Sequence, residues 1–336
     1  MQPARSLHHM PEAPLTSIEV CAGAGGQAIG LHRAGFKHRA LVEIDAHAAE
    51  TLRINGRRTR WWPKKAVHET SLIGWTPPDD VGKINLVAGG VPCPPFSIAG
   101  KQLGADDERD LFPAIIDLVE HVRPDAVMIE NVRGLLGKRF EGYRCDVLGR
   151  LADLGYAGEW ELLEAHEFGV PQLRPRAVLV AARSDVWKFF RWPTPGLIRT
   201  PTVGEALLPL MSAGGWERAD VWAALADTIA PTIVGGSKKH GGADLGPTRA
   251  KRQWSETHGV NAKVLADAPP PLGFLGQPKL TVEMAAVIQG FPCDWQLAGR
   301  KTAKYRQIGN AFPPPVAHAV ARQIAAAVRA AKTPDS

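Results

Sequence analysis

Through the first half of the chain, short, mainly apolar runs alternate with stretches whose apolar residues recur at helical spacing. Ser17 to Cys21, Ala40 to Ile44, Ile84 to Ala88, Ala126 to Ile129 and Ala177 to Ala182 read as buried strands. Between them, Gln27 to Ala34, Ala46 to Asn55, Phe112 to Val122 and Tyr143 to Leu154 read as amphipathic helices. This alternation predicts βαβ units and an α/β fold with a doubly wound, mostly parallel sheet.

The pattern breaks after Ser184. From 185 to 279 the chain is rich in Pro, Gly, Trp and basic residues and has little periodicity. A helical stretch returns at Val282 to Gln289, and a last helix is expected from Pro315 to Ala331. The irregular block thus looks inserted into a main domain made of 15–184 and 280–336, with 1–14 as a disordered lead-in.

Composition narrows the class. The 336 residues are 45% hydrophobic and 22% charged, as in ordinary globular proteins. No apolar run approaches the roughly 20 residues that span a bilayer, and the first 14 lack the apolar core of a secretory signal. Four cysteines, Cys21, Cys93, Cys145 and Cys293, are scattered without CxxC spacing. They suggest neither a zinc site nor a redox pair, no metal is expected, and a reducing cytoplasm suits them. A net charge of +6 and a pI near 9.2 are compatible with a polyanionic partner without requiring one.

Candidate chemistry sits where strands end. The first strand runs through Cys21-Ala22-Gly23-Ala24-Gly25-Gly26 straight into a helix, a turn that lets a ligand approach the backbone and exposes the helix-start N–H groups. Glu43 ends the next strand, where a carboxylate can accept from ribose hydroxyls. The spacing is GxGG and not GxGxxG, which favours a nucleoside cofactor without pyrophosphate over NAD; a turn that merely packs stays open. Pro92-Cys93-Pro94-Pro95 denies the backbone a helix or ladder and displays a thiol on a stiff loop. The glycine-bearing polar stretch from Ile98 to Arg109 suits a lid or an ordinary surface loop. Glu130 ends another strand, placed to donate to a ring nitrogen or simply to be solvated. Arg174 and Arg176 share strand parity, so both face one side, for an anion, a polarised carbonyl or surface ion pairs.

In this order the pieces resemble the DNA cytosine C5-methyltransferase family. The matching motifs are the AGxGG loop (Ala22 to Gly26), the PC-x-PFS segment (Pro92 to Ser97), the ENV triplet (Glu130 to Val132) and QxRxR (Gln172, Arg174, Arg176). Gln289 to Pro292 resembles its QGFP motif, and Gln307 to Ala311 its QIGNA motif, so the likeness runs from Ser17 to about Ala331. The resemblance implies the class I S-adenosylmethionine-dependent fold, with S-adenosylmethionine as cofactor, S-adenosylhomocysteine as product and double-stranded DNA as partner.

By that resemblance Cys93 adds to C6 of a flipped-out cytosine, Glu130 engages N3 and the amino group, Arg176 holds O2 and Arg174 assists the nucleophile. The family pattern maps the cofactor onto Cys21, Gly23, Gly25, Gly26, Glu43, Ile44, Pro92, Leu111 and Asn310, and loosely onto Glu69. Residues 185–279 correspond to the target-recognition domain, and Ser97, Lys101, Gln102, Lys238, Lys239, Arg249 and Arg252 are the expected DNA contacts. A monomer in a bacterial or phage-infected cytoplasm, associated with the nucleoid, is expected; a cognate restriction endonuclease is left open.

Three departures stand out: Cys21 in place of the usual Phe, Pro94 in place of Gln, and Asn85 in place of Asp. The tRNA-methylating branch shares the catalytic motifs but carries a Cys-Phe-Thr triplet in its target region. No cysteine lies between Cys145 and Cys293, which favours DNA. A catalytically silent DNA-binding regulator would lack the nucleophile, the acid or the glycine loop, all kept here.

Overall fold

A computed structural model describes residues 14–92, 110–236 and 242–333. Strand β1 (Leu15–Val20) leads into helix α1 (Gly26–Arg33), followed by β2 (Phe36–Glu43), α2 (Ala46–Thr59), a short β3 (Val67–Glu69) and β4 (Leu86–Gly90). Helix α3 (Phe112–Val122), β5 (Ala126–Val132), α4 (Glu141–Asp153), β6 (Tyr156–Glu164) and β7 (Pro175–Arg183) complete the first half. The strands form one seven-stranded sheet in the order β3-β2-β1-β4-β5-β7-β6. The first five pair in parallel, whereas β7 runs antiparallel to both β5 and β6.

Both faces of the sheet are covered, which is the physical reason β4, β5 and β7 carry near-continuous apolar runs. In β5, Ala126 and Met128 pack into one layer while Val127 and Ile129 pack into the other. β7 divides likewise, Val178 and Val180 facing one way and Leu179 and Ala181 the other. The expected strands are all present. β3 and β6 are additions; β6 is an edge strand with exposed Glu159 and Glu161, and its polar positions hide it from a search for apolar runs.

Asn85 lies at the amino edge of the sheet, away from the strand ends that carry the chemistry. Its Oδ1 accepts from the Thr16 backbone N–H at 2.8 Å, and its Nδ2 donates to Asp125 Oδ2 at 2.6 Å. An Asp in its place would set a second carboxylate against buried Asp125. The amide instead joins the starts of β1 and β5.

Beyond the sheet come α5 (Ser184–Trp187), α6 (Val203–Met211), α7 (Ala219–Leu225) and α8 (Thr248–His258). The stretch that lacks periodicity in sequence therefore holds short helices. Helix α6 starts with a reciprocal capping box, Thr202 Oγ1 accepting from the Glu205 N–H and Glu205 accepting from the Thr202 N–H. The chain then returns through α9 (Val282–Ile288), α10 (Lys301–Asn310) and α11 (Pro314–Ala330). Gly30 lets α11 lie against α1: a Cβ there would sit 2.5 Å from Ala317 Cβ and 2.6 Å from the His318 backbone N.

Apolar side chains from 203–265 share a core with the main domain. Leu207, Met211, Trp216, Trp222 and Trp254 belong to one cluster with Ala28, Leu52, Trp62, Met284 and Ile288. No described helix is long and apolar enough to cross a membrane.

Candidate active site

The carboxyl ends of β1, β2, β4 and β5 open into a cavity of about 850 Å³, closed on the far side by the 232–234 segment and by one face of α10. Open α/β sheets bind ligands at this edge because the strand ends leave a crevice between the loops. The glycine loop forms one wall. Gly23 has φ +54° and open space where a Cβ would be, and its N–H donates to Glu43 Oε2 at 2.7 Å. Glu43 Oε1 accepts from the Asp45 N–H, also at 2.7 Å, so two backbone donors fix the carboxylate at the end of β2. Burial raises its pKa, opposed by those two hydrogen bonds. Gly26 is needed for packing, since a Cβ there would collide with the Phe312 carbonyl oxygen.

Of the expected cofactor residues, Cys21, Gly23, Gly26, Glu43, Ile44, Pro92, Leu111 and Asn310 line the cavity. Gly25 does not. Its φ of +86° turns the chain into α1, and a Cβ would meet Leu52 Cδ2 at 2.9 Å. Glu69 is also off the wall, with Oε2 paired to Arg53 Nη1 at 2.8 Å, while the following Thr70 to Ile73 line the cavity. An adenosyl group thus finds an open glycine backbone, a fixed carboxylate and the apolar surfaces of Ile44, Leu72 and Ile73, all on one cavity. The donor set fits S-adenosylmethionine.

At the other end stand Glu130, Arg174 and Arg176. Arg176 Nε lies 2.6 Å from Glu130 Oε1, and both side chains are about 9% exposed. Burial raises the Glu130 pKa even though Arg176 and Arg174 pull it down. A raised pKa disposes this carboxyl to carry a proton, the state required to donate to a ring nitrogen. Arg174 shares the site but is engaged elsewhere: Nη1 donates to the Ile233 carbonyl at 2.6 Å, and Nη2 to those of Gly309 and Ala311 at 2.7 and 3.1 Å. It ties β7 to the 232–236 loop and to the end of α10. Gln172 supports the same junction, donating to Gln289 Oε1 at 2.7 Å and accepting from the Ile233 N–H at 2.8 Å.

Cys93, Ser97, Lys101, Gln102, Lys238 and Lys239 lie outside the described residues. Pro92 and Leu111, close to either end of the 93–109 segment, both line the cavity. Among the described cysteines Cys21 alone lines it, with φ +51°. Burial pushes its thiol up to about 12, so it stays protonated at neutral pH. On α8, Arg249 is exposed, Arg252 sits 3.8 Å from Glu256, and the intervening Lys251 pairs with Asp244 at 2.7 Å.

Two cavity residues escape motif reading. Glu19 on β1 is 1% exposed, its carboxyl oxygens without a well-formed hydrogen bond among the described residues, and burial pushes its pKa well up. An acid inside an apolar strand run was the available signal. Arg306 on α10 lines the cavity beside Gln307 and Asn310, and its sequence surroundings mark it only as one more basic residue.

The family model for C-5 cytosine-specific DNA methylase matches residues 15–326. The chain belongs to this family. It is a DNA (cytosine-5-)-methyltransferase that uses S-adenosylmethionine. The methyltransferase is 58% identical over 317 residues to the type II methyltransferase M.NaeI of Lentzea aerocolonigenes, covering 94% of this chain and 75% of that protein. It is 49% identical over 320 residues to M.NgoMIV of Neisseria gonorrhoeae, covering 94% and 98%. Among solved structures it resembles a Spodoptera frugiperda DNMT2 mutant with a TM-score of 0.62 at 15% identity, over 92% of this chain and 99% of that one. At that identity the likeness speaks for the fold alone.

Proposed function

We propose that the enzyme methylates a cytosine turned out of a short duplex site, through a covalent adduct between Cys93 and C6. The observation that carries this reading is the buried Glu130–Arg176 pair, 2.6 Å apart, in the same cavity as the glycine loop and Glu43. A cavity at the sheet edge admits a single base only after it leaves the stack, at a cost of roughly a few kcal/mol.

Cys93, as thiolate, forms the S–C6 bond, and the ring electron pair moves toward C5. Glu130 donates to N3 and offsets the charge that develops there, while Arg176 holds Glu130 and is placed to meet O2. Bound S-adenosylmethionine supplies the electrophilic methyl group that C5 accepts. Loss of the C5 proton to a base then restores the double bond and expels Cys93. Gly23, Gly26, Glu43, Ile44, Leu111 and Asn310 hold the cofactor; Arg174 positions the site by fixing the carbonyls around it. Residues 185–279 read the target sequence, with Arg249 and Arg252 toward the DNA. The protein acts as a monomer at the nucleoid, as the methyltransferase of a restriction–modification system, like the type II relatives.

The test is transfer of labelled methyl from S-adenosylmethionine to duplex DNA, followed by nucleoside analysis. 5-Methyldeoxycytidine is expected from the native protein and none from Cys93→Ala, whose DNA binding persists. Undiminished turnover in Cys93→Ala would overturn the adduct, and label on tRNA alone would move the substrate to RNA.

A further inference from the structure

The face of α10 that lines the cavity consists of Ala303, Arg306, Gln307 and Asn310, at helical spacing of three and four. Two of its polar side chains are committed. Gln307 accepts from Thr51 Oγ1 at 2.6 Å and donates to the Ala298 carbonyl at 2.9 Å; Asn310 donates to the Gly236 carbonyl at 3.2 Å. The other cavity arginines are committed too, Arg176 to Glu130 and Arg174 to backbone carbonyls. Arg306 differs in that none of its nitrogens makes an ion pair or hydrogen bond with a described residue, and its Nε is buried. A guanidinium held in a concave site with no described carboxylate paired to it carries a fork of donors suited to a planar or tetrahedral oxyanion.

We infer that Arg306 is the oxyanion-binding residue of this cavity. This rests on the methyltransferase reading, which brings two oxyanion sources to the site: the carboxylate of the cofactor's amino-acid end and a phosphodiester beside the target nucleotide. Arg306 lines the cavity together with Asn310, an expected cofactor residue, and with the 232–234 segment, whose Ile233 carbonyl accepts from Arg174.

The experiment compares the native protein with Arg306→Ala and Arg306→Met, the latter keeping the apolar stem, and with Arg306→Lys. Affinities are measured for S-adenosylhomocysteine, for methylthioadenosine, which has no carboxylate, and for duplex DNA across a salt series. If the cofactor carboxylate is the ligand, Arg306→Met weakens S-adenosylhomocysteine at least tenfold, leaves methylthioadenosine unchanged, and Lys restores part of the loss. If a phosphodiester is the ligand, both nucleosides bind as before. DNA binding then weakens, and the slope of log affinity against log salt falls by about 1. Affinities all within twofold of native in Arg306→Met overturn the inference. A native protein that binds neither S-adenosylhomocysteine nor DNA overturns the methyltransferase reading instead, so the two failures are distinct.

Discussion

Residues that carry charge inside this molecule divide by whether the fold already answers them. Arg174 is answered by three carbonyls and Glu43 by two backbone donors, whereas no described residue gives the Glu19 carboxyl a well-formed hydrogen bond. Burial holds the folded pKa of Glu19 well above its ordinary 4.5. Between those two values the native state keeps a proton that the unfolded chain has released, so this group's contribution to stability falls as pH rises through the window. Below 4.5 both states are protonated and the penalty vanishes. The Glu19→Gln variant does not titrate there. Its melting temperature minus that of the native protein should therefore grow as pH rises above 4.5 and stay flat below. A difference independent of pH would show that Glu19 is not held protonated. Most of the polar cavity lining was legible at this scale, because glycines and strand-end charges announce themselves by type and place. Glu19 and Arg306 were not, since burial and the lack of a partner are properties of three dimensions.

Elements were legible in proportion to how completely they are buried. β4, β5 and β7 are covered on both faces and stand out as apolar runs; β1 is equally buried but mixes in Thr16, Ser17 and Glu19, β3 is three residues long and β6 alternates at an edge. The helices of the 185–279 stretch are short, the longest there having 11 residues, so their periodicity has little length in which to show. Helix packing also leaves few traces in single letters. Gly30 is the exception, a contact point where α1 and α11 touch through backbone and Ala317. Gly30→Ala should push these helices apart, at an overpacking cost of about 1–3 kcal/mol. Urea denaturation would check this, and an unchanged midpoint would mean that α11 shifts freely.

For the whole molecule, the sequence suggests an insert and the structure adds that its core is shared. Leu207, Trp216 and Trp222 pack in the same cluster as Ala28 and Leu52. Unfolding is therefore expected as one transition, with tryptophan fluorescence, which samples Trp216, Trp222 and Trp254 in the insert, coinciding with far-ultraviolet circular dichroism. Two separated transitions would show that the insert melts alone. The common core also constrains how such an enzyme can acquire a new target. A wholesale graft of 185–279 from a relative would cut through this common apolar cluster and leave mismatched halves on both sides of the cut. On the proposed target-reading role of 185–279, changes in the recognised sequence are easiest to accumulate at exposed positions such as Arg249 and Arg252, where side chains can be exchanged singly while the shared apolar core is inherited intact.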